Sequence, residues 1–316
     1  VVKRLMQSAD VVIENFKPGS MEKWGLGPTD MATLNPNLIF ARISGYGQSG
    51  PNSSKPGYAS VTEAYSGFRY VNGFPGDAPV RPNLSIGDTI AGIHAVLGVL
   101  LSLLERQQNR GTAGQVVDVA LYEAMFNLME GMVPEYSGAG AIREPSGSTI
   151  TGIVPTNTYL CADGKHVVIG ANGDSIFVRL MHAMARGDIA EDKRYADNAG
   201  RVEHQDFIDG AIAVWTRAHS AAQVIKILEE ADVPVGPIYN VADMMADEHF
   251  NARGLFETVQ TDQGELKIPA ILPKLSASPG QTDWPGGPVG THTDDILNDV
   301  GYSPQQITQL REAGDI

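Results

Sequence analysis

The chain has 316 residues, 42% of them hydrophobic, and a formal net charge of −14. This length suggests one large or two modest domains, and the acidity argues against general nucleic-acid binding. The single cysteine, Cys161, excludes a disulfide framework within the chain and fits a reducing, cytoplasmic location. We identify no secretory signal and no apolar run of the roughly 18 residues that a membrane span needs, so we expect no membrane partner.

The first part of the chain alternates between helical and strand patterns. Helix-like spacing over 2–6 leads into a buried strand at 11–13, and "NLIFARIS" (37–44) forms the next strand. This alternation predicts a parallel α/β domain. The segment "GYGQSG" (45–50) matches a dinucleotide-binding fingerprint, but the "PNSSKPG" that follows cannot open a helix promptly. We therefore interpret it as a loop rather than a nicotinamide site.

A long apolar helix, which we expect to be buried, is predicted over 88–106 with Asp88 at its head. Aspartate is a favoured N-cap and its charge suits the helix dipole, which gives Asp88 a purely structural interpretation. Gly87, Gly92 and Gly98 suggest that a neighbouring surface approaches this helix closely. A carboxylate held at a helix N-terminus also stays ionised and can act as a nucleophile. Both interpretations are open on these grounds.

The second half of the chain has a different pattern. A Gly-, Ser- and Pro-rich stretch over 136–151 predicts a linker. A hairpin follows, with a two-residue turn at Asp163-Gly164 that favours type I′. Helices are predicted near 174–185, 203–217 and 221–231, with Ser220 capping the last of these. Cys161, in a strand beside the turn, is interpreted as a small buried hydrophobic residue.

Four ordered blocks resemble the family III CoA-transferases of the CaiB/BaiF type, a group that includes formyl-CoA:oxalate and carnitine CoA-transferases. The blocks are "ADVVIENFKPGSMEKWGL" (9–26), "NPNLIFARISGYGQSGP" (35–51), "GDTIAGIHAVLGVLLSL" (87–103) and "GTAGQVVDVALYEA" (111–124). Four such blocks in order are far more specific than any single motif. The resemblance covers nearly the whole chain.

The resemblance implies a transfer of CoA from an acyl-CoA donor to a free carboxylic acid. The family's nucleophilic aspartate corresponds to Asp88, which would form an aspartyl anhydride and then an aspartyl-CoA thioester. The family's CoA contacts correspond to Asn15, Phe16, Lys23, Trp24 and Lys55. CoA esters are then substrates, and the resemblance implies no permanently bound cofactor or metal.

The resemblance also implies the architecture, a Rossmann-like large domain with a small α+β domain. We expect the large domain over 1–135, the linker over 136–151, the small domain over 152–235, and a return segment, 236–316, that packs on the large domain. Protomers of this kind form interlocked homodimers. Family members begin upstream, so we expect this chain to lack a βαβ unit of roughly 30 residues or more.

Two alternatives remain beside CoA transfer. The α-methylacyl-CoA racemases share the fold and use a histidine–aspartate pair, but their histidine position corresponds to Tyr58, a poor base at neutral pH because tyrosine has a pKa of about 10. Ala59 is a second departure, since many relatives carry an acid there. The other alternative is a truncated, inactive chain that only binds CoA.

Overall fold

The computed structural model describes residues 1–109 and 113–316, which form two compact units, Val1–Thr151 and Gly152–Ile316. Residues 111–112, the start of the fourth motif, therefore lie outside the described residues. The elements of the first unit are α1 (Val2–Ser8), β1 (Val11–Glu14), α2 (Ser20–Lys23), α3 (Pro28–Met31), β2 (Ile39–Ser44), α4 (Ala59–Tyr65), α5 (Phe68–Val71), α6 (Ile86–Gln108), β3 (Val116–Ala120), α7 (Leu121–Phe126) and α8 (Met132–Ala139).

The first unit is built on a parallel sheet with the strand order β1-β2-β3. Central strand β2 has the near-continuous burial of a strand covered on both faces. Helices α1 to α3 pack a cluster that includes Met21 and Met31 against Phe40 of β2. The predicted α/β class is confirmed. The "GYGQSG" segment is a loop, also as predicted.

Helix α6 confirms the predicted apolar helix but starts at Ile86, two residues earlier than expected. Its inner face carries small residues, among them Ala91, Ala95 and Ser102, which are buried. A Cβ at Gly98 would lie 2.4 Å from Cγ1 of Val117 on β3, whereas one at Gly92 would meet nothing within 4 Å. The close approach predicted from the glycines is therefore right for Gly98 and wrong for Gly92.

The expectation that α6 is buried is wrong for its larger side chains. The outer face of α6 is exposed and consists of Ile93, Val96, Leu97, Leu100, Leu101 and Leu104. These residues recur every three or four positions and so lie along one side of the helix. Among the described residues, α6 is the one helix that is long and apolar enough to cross a membrane. The expectation that no apolar run reaches this length is therefore wrong by this test, which core helices of globular proteins also pass.

The second unit contains an antiparallel sheet of β4 (Thr156–Leu160), β5 (His166–Gly170) and β6 (Val235–Pro237). Its helices are α9 (Asp174–Ala183), α10 (Gly187–Ala190), α11 (Asn198–Glu203), α12 (Gln205–Thr216), α13 (Ala221–Glu230), α14 (Val241–Ala246), α15 (Glu248–Ala252), α16 (Thr293–Asp299) and α17 (Pro304–Glu312), with a 3-10 turn at Lys193–Tyr195 and a hairpin of β7 (Phe256–Thr261) and β8 (Gly264–Pro269). Ser220 forms the predicted cap of α13.

The predicted hairpin at Asp163-Gly164 is present, but its turn is longer than two residues. Gly164 N–H donates to the Cys161 carbonyl, and Gly164 alone in this turn has a positive φ, of 76°. Type I′ requires a positive φ at both central residues, so that prediction is wrong. Cys161 is buried as predicted, and burial raises the pKa of its thiol. The predicted packing of 236–316 on the large domain stays a prediction.

Candidate active site

Asp88 lies in the first turn of α6, as its third residue, and its side chain is exposed. Ser85 is the N-cap, so the interpretation of Asp88 as the N-cap residue is wrong. At the other end of the helix, Arg106 donates to the Asn37 carbonyl before β2 and to Asp10 before β1. Helix α6 therefore runs antiparallel to the strands, and Asp88 lies at their carboxyl edge, where open α/β sheets bind ligands.

The head of α6 packs tightly against the start of α4. A Cβ at Gly87 would lie 3.2 Å from Cβ of Ala59 and 3.2 Å from Oε1 of Glu63. The predicted role of Gly87, close backbone approach, is thus confirmed. Because Tyr58 precedes Ala59 and Asp88 follows Gly87, this contact brings the two equivalents of the racemase pair to neighbouring positions. Tyr58 is the N-cap residue of α4 and is 84% exposed.

The "ENFKPG" loop follows β1 at the same carboxyl edge and is held by Arg42. Nε of Arg42 donates to Glu14 Oε1 at 2.7 Å, and its other nitrogens donate to both carboxylate oxygens of Glu22 on α2. Glu14 also accepts the N–H of Phe16 at 2.7 Å. Burial by itself would lower the pKa of Arg42, but the hydrogen bonds to Glu22 and Glu14 outweigh this effect and raise it. The hydrogen bond from Arg42 lowers the pKa of Glu22.

The side chains predicted to contact CoA lie around this loop. Phe16 and Trp24 form an edge-to-face pair with ring centroids 5.0 Å apart, and both are about half exposed. They line an apolar groove of about 450 Å³ beside β1. Asn15 and Lys23 are exposed on the same loop and on α2. Lys55 is exposed in the connection between β2 and α4.

The structure therefore brings Asn15, Phe16, Lys23 and Trp24 together and places Asp88 and Lys55 on segments at the same edge of the sheet. Sequence reasoning missed two groups of residues that shape this edge. The first is Arg42 with its two glutamates. The second is Glu63 with Arg69 and Arg81. The motif blocks contain Glu14, Glu22 and Arg42, but their pairing depends on strand register, which the sequence does not reveal.

Comparisons with known proteins place the chain in a family. The family model for CoA-transferase family III matches residues 1–293. The chain is 44% identical over 313 residues to a succinyl-CoA–D-citramalate CoA-transferase of Chloroflexus aurantiacus, covering 98% of this chain and 77% of that one. It is 30% identical over 302 residues to a succinate–glutarate CoA-transferase of Agrobacterium fabrum, covering 95% and 74%.

A solved structure supports the same assignment. A CAIB/BAIF family protein from Brucella suis superposes with a TM-score of 0.81 and 28% sequence identity, covering 95% of this chain and 77% of that one. The mixed α/β architecture expected from the sequence is thus that of the family. The chain belongs to CoA-transferase family III and is a CoA-transferase.

Proposed function

We propose that this chain moves CoA from succinyl-CoA to a second dicarboxylic acid, with Asp88 as the nucleophile. The observation that carries the proposal is the exposed carboxylate of Asp88 in the first turn of α6, at the carboxyl edge that also holds the "ENFKPG" loop. The relatives support the substrate class, since their names pair succinate or succinyl-CoA with D-citramalate or glutarate. Each of these acids has two carboxylates.

The chemistry divides one difficult exchange into steps that each break one activated bond. The Asp88 carboxylate attacks the thioester carbonyl, the C–S bond breaks, and CoA thiolate leaves from the new mixed anhydride. The thiolate then attacks the aspartyl carbonyl, which releases the donor as a carboxylate and leaves an aspartyl-CoA thioester. The acceptor carboxylate repeats these steps in reverse order, forms the new acyl-CoA and restores Asp88. Backbone N–H groups at a helix head stabilise the oxyanions formed on attack.

The CoA moiety is proposed to lie along the "ENFKPG" loop. The apolar groove beside Phe16 and Trp24 suits a flat base or the pantetheine chain, since aromatic side chains provide large apolar contact surfaces. Lys23, at the end of α2, and Lys55 supply positive charge for the phosphates. No metal or tightly bound cofactor takes part in the proposed steps.

The proposal includes a homodimer. The outer face of α6 presents six apolar side chains to solvent, and exposed apolar patches of this kind mark interaction surfaces. We assign this face to contact with a second copy of the chain, in keeping with the interlocked pairs implied by the family resemblance.

A trapping experiment tests the nucleophile. Wild-type protein, Asp88→Asn and Asp206→Asn are incubated with succinyl-CoA and then with hydroxylamine, which intercepts activated acyl groups as hydroxamates. Asp206 is a matched control because it is also an exposed acid in the first turn of a helix, α12. We expect an aspartyl hydroxamate on the peptide that contains "SIGDTIAG" in the wild type and in Asp206→Asn, and none in Asp88→Asn.

The same preparations separate the alternatives. A racemase would exchange α-protons of a 2-methylacyl-CoA with solvent and leave no hydroxamate, and a passive CoA-binding protein would do neither. If succinyl-CoA exchanges with free acids while Asp88 is never modified, direct attack of the acceptor on bound acyl-CoA replaces the covalent mechanism. Full turnover in folded Asp88→Asn would have the same consequence.

A further inference from the structure

A buried glutamate lies directly behind the head of α6. The Glu63 side chain, on α4, has no exposed surface, and its Oε1 accepts the N–H of Gly87 at 3.3 Å. Its other oxygen, Oε2, faces two arginines. A terminal nitrogen of Arg69, on α5, donates to it at 3.2 Å, and Nε of Arg81 lies 3.6 Å away. The Glu63 carboxylate therefore lies between the two guanidinium groups and Gly87, the residue that precedes Asp88.

This cluster carries a surplus of one positive charge. It holds two guanidinium groups, and Glu63 is the one carboxylate that pairs with either of them in the described part of the chain. The Nε atom of Arg69 is buried and has no hydrogen-bond partner among residues 1–109 and 113–316. Unpartnered buried donors are rare in native proteins and call for an explanation.

Neutralising Glu63 does not require both arginines. Arg69 already supplies a hydrogen bond of ordinary length to the buried carboxylate. Nε of Arg81 lies beyond hydrogen-bond distance of Glu63, and the Arg81 side chain is 42% exposed, so a ligand in solution can reach it. A guanidinium offers five donors in a fork that matches a carboxylate, and a second carboxylate is the ligand that this arrangement lacks.

We propose that Arg69 and Arg81 bind the distal carboxylate of a dicarboxylic acyl group while its other end reacts at Asp88. The inference rests on the proposed function, since it assumes acyl transfer at Asp88. It assigns the preference for dicarboxylic over monocarboxylic acids to these two side chains. Glu63 is a positioning residue in this account: it fixes both guanidinium groups and, through Gly87, the head of the helix that carries Asp88.

The test compares two donors that differ in the distal carboxylate alone, succinyl-CoA and butyryl-CoA, in the wild type and Arg81→Gln. Initial rates are measured with a common acceptor acid, and hydroxamate formation at Asp88 in a single turnover reports each donor even where steady turnover is slow. We expect Arg81→Gln to lower kcat/KM for succinyl-CoA on the order of 10- to 100-fold, the range for a lost hydrogen bond to a charged group. The value of kcat/KM for butyryl-CoA, which reports the donor half-reaction alone, should stay within about twofold, because that donor makes no such bond.

Two further variants make the result decisive. Arg194→Gln removes an exposed arginine that pairs with Asp192 in the second unit. It should leave kcat/KM unchanged for both donors. Arg81→Lys keeps the charge without the fork and should show an intermediate, succinyl-specific loss; it replaces Arg81→Gln if that variant fails to fold. Equal losses for both donors, or no loss for either, would overturn the inference while leaving CoA transfer intact. Absence of transfer and of trapping with succinyl-CoA in the wild type would instead refute the proposed function.

Discussion

Glu14 and Arg42 are register partners on the parallel strands β1 and β2, and 2.7 Å separates Glu14 Oε1 from Arg42 Nε. Both side chains are almost fully buried. The same guanidinium reaches Glu22 on α2, so one arginine joins two strands, the loop between them and the helix that carries Lys23. This arrangement fixes the backbone of the proposed CoA-binding loop from beneath.

Replacing Arg42 with methionine should be strongly destabilising. The change leaves Glu14 buried without its partner, and breaking a buried pair in this way costs about 3–5 kcal/mol. Urea unfolding followed by circular dichroism measures the effect, and CoA affinity should fall with it. Arg194→Met is the control, since its ion pair with Asp192 is exposed and should contribute little. Equal unfolding midpoints for the two variants would contradict this account of Arg42.

Helix α6 offers a matched pair of glycines for a packing test. An alanine at Gly98 would drive its Cβ to 2.4 Å from Val117, whereas Gly92 has open space. We expect Gly98→Ala to destabilise by about 1–3 kcal/mol, as overpacking does. Gly92→Ala should stabilise by up to about 1 kcal/mol because alanine favours helix. The double variant Gly98→Ala, Val117→Ala should lose less free energy of unfolding than the sum of the losses in the two single variants. Strict additivity of these losses would show that the two residues do not make contact.

The apolar run that predicts α6 also explains why its burial was predicted wrongly. Leucine, valine and isoleucine dominate the run, so composition alone indicates a helix buried on all sides. In the structure the small side chains, such as Ala91 and Ala95, face the sheet, because α6 approaches it closely. The bulky side chains then have to face outward. The composition of a helix does not by itself show which of its faces packs against the sheet.

The residues predicted to contact CoA are identified through the family resemblance of the motif blocks, and four of them also lie close together along the chain. Asn15, Phe16, Lys23 and Trp24 fall within ten positions and share one loop and one short helix. Arg42 and the Glu63 cluster could not be found this way. Glu14 meets Arg42 only through the register of β1 and β2, and Glu63 meets Gly87 across 24 positions. Such pairings depend on tertiary packing, which local patterns do not encode.

The outer face of α6 predicts how the chain assembles. In a dimer built on this face, Leu97→Glu and Leu101→Glu would each place a charge in an apolar contact, which is costly without a partner. Sedimentation equilibrium at micromolar concentration should show a dimer for the wild type and dissociation for both variants. Val214→Glu, at an exposed apolar position on α12, should leave the dimer unchanged. A stable monomer in the wild type would contradict the proposal.

The last prediction concerns the charge at the end of α2. CoA carries several phosphate charges, and Lys23 is exposed beside the groove formed by Phe16 and Trp24. Lys23→Glu replaces attraction by repulsion, so the variant should bind CoA more weakly. The loss should be larger at low salt, because the screening length is about 30 Å at 0.01 M ionic strength and about 10 Å at 0.1 M.

Calorimetric titration with CoA across this range measures both effects. Lys226→Glu, at a lysine exposed on α13 in the second unit, should bind CoA almost as the wild type does, since Lys226 is not among the residues proposed to contact CoA. Salt-independent affinities in the wild type and in Lys23→Glu would show that Lys23 makes no phosphate contact. A wild-type affinity that falls with salt, together with an unchanged affinity in Lys23→Glu, would instead assign the phosphate contact to another cation such as Lys55.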